Sequence, residues 1–489
     1  MRSPNTLALA ALFALGGCGA HGLSMGDLGV TPGGTQDINY ARDLIDNGLI
    51  PAATDYTTEG LFSEHSLPLQ SAPCDETLCP VAATGLVDTV DGAEGRLLMQ
   101  LGFATDVTLA NFERPPLRLA VAIDISGSMS GDKLDTSKAS LLEVVDLLGP
   151  RDEMALVTYG SKAKVVRKLT KMDANGRGKM RDEINGLKSK GSTAMEDGLI
   201  EAIEVLEKGA GKKGIEDRVF VLTDAQPNVG ATGAGSFVKI VRNAANKDIG
   251  VTMWGVGLDL GAELVTEMSK VRGGNAYHFV STKSMKKRVR DDFDFMVTPL
   301  AYDLEVDATP HADLIIDRTW GAPMDGDSVK FGASTLFLAH KDGGMGVTLT
   351  WSDGSGMADQ APSDIAELEI SWLPVDGDNR KEATLEVTFE GGGAYVDDFA
   401  QADDLGVFKM AALADEILAL DAGAAFCDGT LDAQTAEARI LDASDRLQSR
   451  SDQLSDEGLS VESALMDKLL DNVIGGTANC NAGSTDTGL

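Results

Sequence analysis

The feature that most constrains this chain is an apolar run, Leu117-Arg118-Leu119-Ala120-Val121-Ala122-Ile123, that ends in Asp124-Ile125-Ser126-Gly127-Ser128. A run of this kind reads as a strand buried on both faces of a parallel sheet. Sheets of that class place ligands beyond the carboxyl ends of their strands. The turn that follows the strand presents one carboxylate and two hydroxyls. These are hard oxygen donors, suited to a small hard cation such as Mg²⁺. The run therefore predicts an α/β fold with a metal-dependent binding site at a strand end.

Two later segments bring more donors of the same type. Gly191-Ser192-Thr193-Ala194 opens a helical stretch, and Val219-Phe220-Val221-Leu222-Thr223-Asp224 is a second buried strand that ends in a carboxylate. Strands and helices alternate around them. Helices are expected near 133–148, 179–187, 194–207, 237–246, 262–271 and 284–296, and strands near 154–159, 164–167, 218–223, 251–256 and 276–280. Alternation of this kind implies a parallel sheet with right-handed crossovers.

The pattern D-x-S-x-S at Asp124, Ser126 and Ser128, the loop at Thr193 and the strand-end Asp224 together resemble the metal-ion-dependent adhesion site of von Willebrand factor A (VWA) domains. The resemblance covers roughly residues 115–298. It implies a doubly wound, mostly parallel α/β sheet. It also implies that Ser126, Ser128 and Thr193 ligate the ion directly, while Asp124 and Asp224 act through water or as alternate ligands. Mg²⁺ is the expected ion, with Mn²⁺ or Ca²⁺ as alternatives. Neutral hydroxyls leave such an ion short of negative charge, so an Asp or Glu from a partner protein would fill its open position. The implied function is binding rather than catalysis. The competing readings are a structural envelope protein with a silent metal site and a hydrolase in the C-terminal third. The second lacks a nucleophile–histidine signature or a zinc motif in the sequence.

A looser likeness extends further upstream. Ile38-Asn39-Tyr40-Ala41-Arg42-Asp43-Leu44-Ile45-Asp46-Asn47-Gly48 and Arg114-Pro115-Pro116-Leu117 resemble segments of bacterial VWA lipoproteins, which are envelope-anchored. Residues 1–17 read as a signal peptide, with Arg2 followed by a short apolar run at 7–15. That run is too short to span a bilayer. It closes on Leu15-Gly16-Gly17-Cys18, which resembles a lipobox and implies lipidation of Cys18. Gly19 rather than Asp after the cysteine favours the outer membrane. Four further cysteines suit an oxidising compartment. Of their three pairings, Cys74 with Cys79 and Cys427 with Cys480 is preferred. The first two flank one Pro-bounded loop and the second two bracket a helical region.

The chain has 489 residues, too many for one core. Residues 18–36 are Gly-rich and expected to be a flexible lipidated tether, and 37–83 an irregular segment with a short helix. Period-two patterns predict strands at 97–103 and 107–109, and again between 299 and 398. Residues 84–114 are expected to add strands to that second group, which would place the VWA domain in a loop of a β-sandwich. Residues 399–475 read as helical and 476–489 as a frayed tail. A net charge of −34 argues against nucleic acid and against binding anionic lipid by charge. The five histidines, at 21, 65, 278, 311 and 340, form no pair spaced for zinc.

Overall fold

In the computed structural model, the run at 117–124 lies near the middle of a six-stranded sheet. The strand order is Ala163–Lys171, Glu153–Tyr159, Leu117–Asp124, Glu216–Thr223, Ile249–Val256, Gly274–Phe279. All neighbours are parallel except the edge strand Ala163–Lys171. Every residue of the strands Leu117–Asp124, Glu216–Thr223 and Ile249–Val256 is buried, because helices cover both faces. On one face Leu119, Val121 and Ile123 share a core with the helices Asp132–Leu147 and Thr282–Met296. On the other, Ala120 and Ala122 pack with the helices Met195–Glu207 and Ala234–Ala245. The structure describes residues 28–33, 38–69, 74–87, 95–224, 234–256, 267–268, 270–279, 282–311, 313–322, 330–355, 357, 362–375, 377, 379–389 and 405–481. The expected signal peptide, Cys18 and most of the expected 262–271 helix lie outside these residues.

Two antiparallel sheets form a sandwich from segments on either side of this domain. One runs Gly29–Pro32, Lys330–Ala339, Pro299–Pro310, Asp364–Pro374, Lys381–Thr388; the other runs Leu314–Trp320, Met345–Trp351, Arg96–Ala104, Cys79–Val87. Leu97, Met99 and Leu101 of the second sheet share a core with Val306, Leu368 and Ile370 of the first. The α/β domain thus sits between strand Arg96–Ala104 and strand Pro299–Pro310.

Three expectations about these strands need correction. The first N-terminal strand begins at Cys79, not 84; it is an edge strand, where Pro80 costs no ladder bond. Residues 107–109 form no strand: Thr108 makes an isolated bridge, and a turn follows at 109–111, with Asn111 N and Phe112 N donating to Thr108 O. The expected tether contains strand Gly29–Pro32, paired with Leu336–Ala339. A Cβ at Gly29 would stand 2.3 Å from Lys341 O, so the glycine there serves close backbone approach and not flexibility.

Helices Leu405–Asp428, Ala433–Leu454 and Glu457–Ile474 form a third body with the N-terminal helices Asn39–Asp46 and Thr58–Phe62. The first is buried on nearly all sides because it lies between its helical neighbours, the N-terminal segment and strands Arg96–Ala104 and Cys79–Val87. Cys74 is bonded to Cys79, and Cys427 to Cys480 across 53 residues. Residues 476–481 are not a frayed end. Besides the disulfide, Ile50 N donates to Asn479 O (2.8 Å) and Asn481 N to Ile50 O (2.9 Å). Among the described residues, no helix is long and apolar enough to cross a membrane.

The α/β domain and the sandwich meet around Arg218, which is fully buried. Its guanidinium donates to Glu216 Oε1 (2.9 Å), Thr252 Oγ1 (3.0 Å) and Gly273 O (3.0 Å), and lies 5.4 Å from the centre of the Phe337 ring. Burial pushes the Glu216 carboxyl up from 4.5 to about 7 despite the opposing charge of Arg218. The folded chain therefore holds a proton there that the unfolded chain releases from about pH 4.5 upward. Stability from this group is full below that pH and is lost as pH rises to about 7, by on the order of 3 kcal/mol. Urea unfolding at pH 5 and 7.5 should show a larger decline in wild type than in Glu216→Gln, since the buried Asp217 carboxyl, raised to about 6, contributes a decline to both. Parallel pH dependence in both proteins would rule the assignment out.

Candidate metal centre

Asp124 is the last residue of its strand and has no exposed surface. Its Oδ1 accepts the Ser126 backbone N–H at 2.6 Å, closing a tight turn, and its Oδ2 accepts from Thr223 Oγ1 at 3.4 Å. The turn aims both serines at the same point. Ser126 Oγ and Ser128 Oγ are 2.9 Å apart, and Ser128 Oγ donates to Asp224 Oδ1 at 3.0 Å. Asp224 follows the neighbouring parallel strand Glu216–Thr223, so strand pairing brings the two carboxylates to one sheet end. Burial pushes the Asp124 carboxyl up, hydrogen bonds from Ser126 oppose the shift, and the nearby charge of Asp224 adds to it.

The Thr193 loop is stitched to the same turn by backbone bonds. Lys190 N donates to Ile125 O (2.5 Å), Gly127 N to Gly191 O (2.9 Å) and Ala194 N to Gly160 O (2.8 Å). Gly191 has φ +86°, and a Cβ there would stand 2.6 Å from Ser161 Oγ. Thr193 is half-buried, and its hydroxyl makes no hydrogen bond among the described residues. All five residues expected at the site thus lie on segments that converge at the carboxyl ends of two adjacent strands.

This donor set fits a hard divalent cation. It consists of hydroxyl and carboxylate oxygens, with no nitrogen or sulfur ligand. No group of three or more His, Cys, Asp or Glu side chains placed to hold a metal is present among the described residues. The centre is therefore hydroxyl-based, with two acids among the described residues. A positive side chain lines it as well, since Lys133 Nζ lies 2.8 Å from Asp224 Oδ2. Lys133 was not among the residues expected at the site. Its only sequence signal is its place in the first turn of the helix that follows the serines.

Residues 119–291 match the model of the von Willebrand factor type A domain. The chain carries a VWA domain. The VWA region is 26% identical over 190 residues to inter-alpha-trypsin inhibitor heavy chain H4 of Bos taurus, covering 38% of this chain and 21% of that one. It is 28% identical over 193 residues to heavy chain H1 of Mesocricetus auratus, covering 38% and 21%. The chain thus spans about a fifth of the length of these relatives. A solved structure, von Willebrand factor type A from Catenulispora acidiphila, superposes with a TM-score of 0.51 at 14% identity, covering 78% of this chain and 89% of that one. That likeness is one of fold, and it extends beyond the VWA domain.

Proposed function

We propose that the VWA domain holds a divalent cation through Ser126, Ser128 and Thr193, with Asp124 and Asp224 fixing the surrounding oxygens, and that it binds a protein partner through an Asp or Glu carboxylate. The observation that carries this reading is the chain of contacts from Ser126 to Ser128 to Asp224, set beside the tethered Thr193 loop. A bound ion supplies Lewis acidity toward one further oxygen donor. The chain's own residues do the rest. Three neutral hydroxyls add no negative charge of their own to the ion, so the surrounding carboxylates and Lys133 set the net charge, and the buried Asp124 locks the turn that presents two of the hydroxyls. Mg²⁺ is the expected occupant, since hydroxyls and water satisfy its octahedral demand; Mn²⁺ or Ca²⁺ are alternatives.

The reading is of an interaction module and not an enzyme. The Ser126 and Ser128 hydroxyls engage each other and a carboxylate, and no histidine is among their hydrogen-bond partners in the described residues. The same proposal places the protein in a bacterial envelope, lipid-anchored at Cys18 on the strength of the lipobox-like Leu15-Gly16-Gly17-Cys18, and in the outer membrane on the strength of Gly19 after it. Capture from envelope extract on lipid-free protein beginning at residue 19 tests the binding role. A partner retained with Mg²⁺ and released by EDTA is expected. A set of bound proteins indifferent to both would move the binding function to the sandwich or the helical body.

A further inference from the structure

A cationic side chain lines the metal centre. Lys133 Nζ sits on Asp224 Oδ2, while Ser128 Oγ takes the carboxylate's other oxygen. The Asp224 side chain is 1% exposed and that of Lys133 is 35% exposed. A partly solvated ammonium thus reaches in to a buried carboxylate. The fold builds this reach in. Lys133 is the second residue of helix Asp132–Leu147, which starts just past the 3₁₀ turn Gly127–Met129, and helical side chains lean toward the N-terminus. Helix stability does not explain a cation at this position. A positive charge in the first turn opposes the helix dipole, whereas Asp132 and Asp135 in the same turn complement it.

We infer that Lys133 is a specificity-determining residue of the metal centre: its fixed charge loosens the chain's hold on a divalent ion and strengthens the loaded centre's hold on an anionic ligand. This inference rests on the metal-dependent reading above. Two carboxylates, Asp124 and Asp224, face the site, and Lys133 answers one of them. With a divalent ion present, the centre then carries net positive charge, and a carboxylate ligand restores neutrality. Without the lysine, the loaded centre is already neutral and gains less from an anion. Lys133 also competes directly for Asp224 Oδ2, an oxygen that would otherwise be free to serve the ion's coordination sphere.

The test is Mn²⁺ titration of the full chain, read from the free-ion EPR signal, with acetate as the anionic probe read by water-proton relaxation of the bound Mn²⁺. Wild type, Lys133→Met, Lys133→Arg and Asp124→Ala are compared, with thermal unfolding in EDTA to show that each is folded. Lys133→Met should bind Mn²⁺ about fivefold more tightly and require at least about threefold more acetate for half-saturation, effects that shrink in high salt. Lys133→Arg should behave as wild type. If Lys133→Met binds Mn²⁺ no more tightly than wild type, or if its acetate dependence is unchanged, the inference is overturned. Loss of Mn²⁺ binding in Asp124→Ala would then leave the metal-centre reading standing. If wild type itself takes up no Mn²⁺, both fall together.

Discussion

Glu462→Ala is expected to destabilise the chain by about 2–3 kcal/mol, because it strips Arg42 of one of its two carboxylate partners and breaks the hydrogen bonds between them. Glu462 lies on the last long helix, with its side chain 2% exposed. Arg42 from the N-terminal helix donates to both of its oxygens, and His65 Nε2 lies 3.1 Å from Oε1. Arg42 also donates to Glu64 Oε2 at 2.7 Å. The network thus locks the N-terminal segment onto the helical body. Burial alone would raise the Glu462 carboxyl; its hydrogen bond with His65 and the charge of Arg42 overcome that and hold it below the usual range. Beside it, Glu416 is fully buried against the Glu462 carboxylate. Burial first, and then the charge of Glu462, push that carboxyl well above its ordinary value. An amide of the same shape brings no charge to bury and none to repel Glu462. Glu416→Gln should therefore change stability by less than about 1 kcal/mol. Urea unfolding of the two variants at pH 7 checks the contrast, and equal losses would contradict it.

The second large effect is on the metal centre. Asp124→Ala should weaken divalent-ion binding by about 10–100-fold, by analogy with the loss of a residue that orients metal ligands. The substitution removes the acceptor that fixes the Ser126 N–H, and with it the turn that brings Ser126 and Ser128 together. It also removes one of the two carboxylates that face the site among the described residues. The cost to the fold is smaller, about 1–2 kcal/mol for the lost turn contact. Isothermal titration with Mg²⁺ and Mn²⁺ measures the first effect, and thermal unfolding in EDTA the second. Retained affinity in a folded variant would show that the ion, if bound, is held elsewhere.

The metal centre was legible in the sequence because each of its parts sits at the edge of a locally decodable element. Asp124 and Asp224 close unbroken apolar runs, and strand pairing between those runs sets the two carboxylates side by side. Lys133 escaped notice because its contact with Asp224 spans 91 residues and depends on the direction of a side chain, which apolar periodicity does not encode. The sandwich strands with plain alternation, such as Asp364–Pro374, were readable, but Met345–Trp351 starts in a glycine-rich stretch that masks its period. The strand at Gly29 and the pinned C-terminal residues at 477–481 look flexible by composition. Long-range pairing, with Lys330–Ala339 and with Ile50, orders them instead. The network of Arg42 and Glu462 joins residues 420 positions apart, and no local pattern announces it.

The most direct test of the central claim is a crystal structure of the chain grown with Mn²⁺, with data collected at the manganese absorption edge. A single anomalous peak among Ser126, Ser128 and Thr193, lost in crystals of Asp124→Ala, is the predicted result. An intact arrangement of these residues with no peak, or with the peak at another place on the chain, would contradict it.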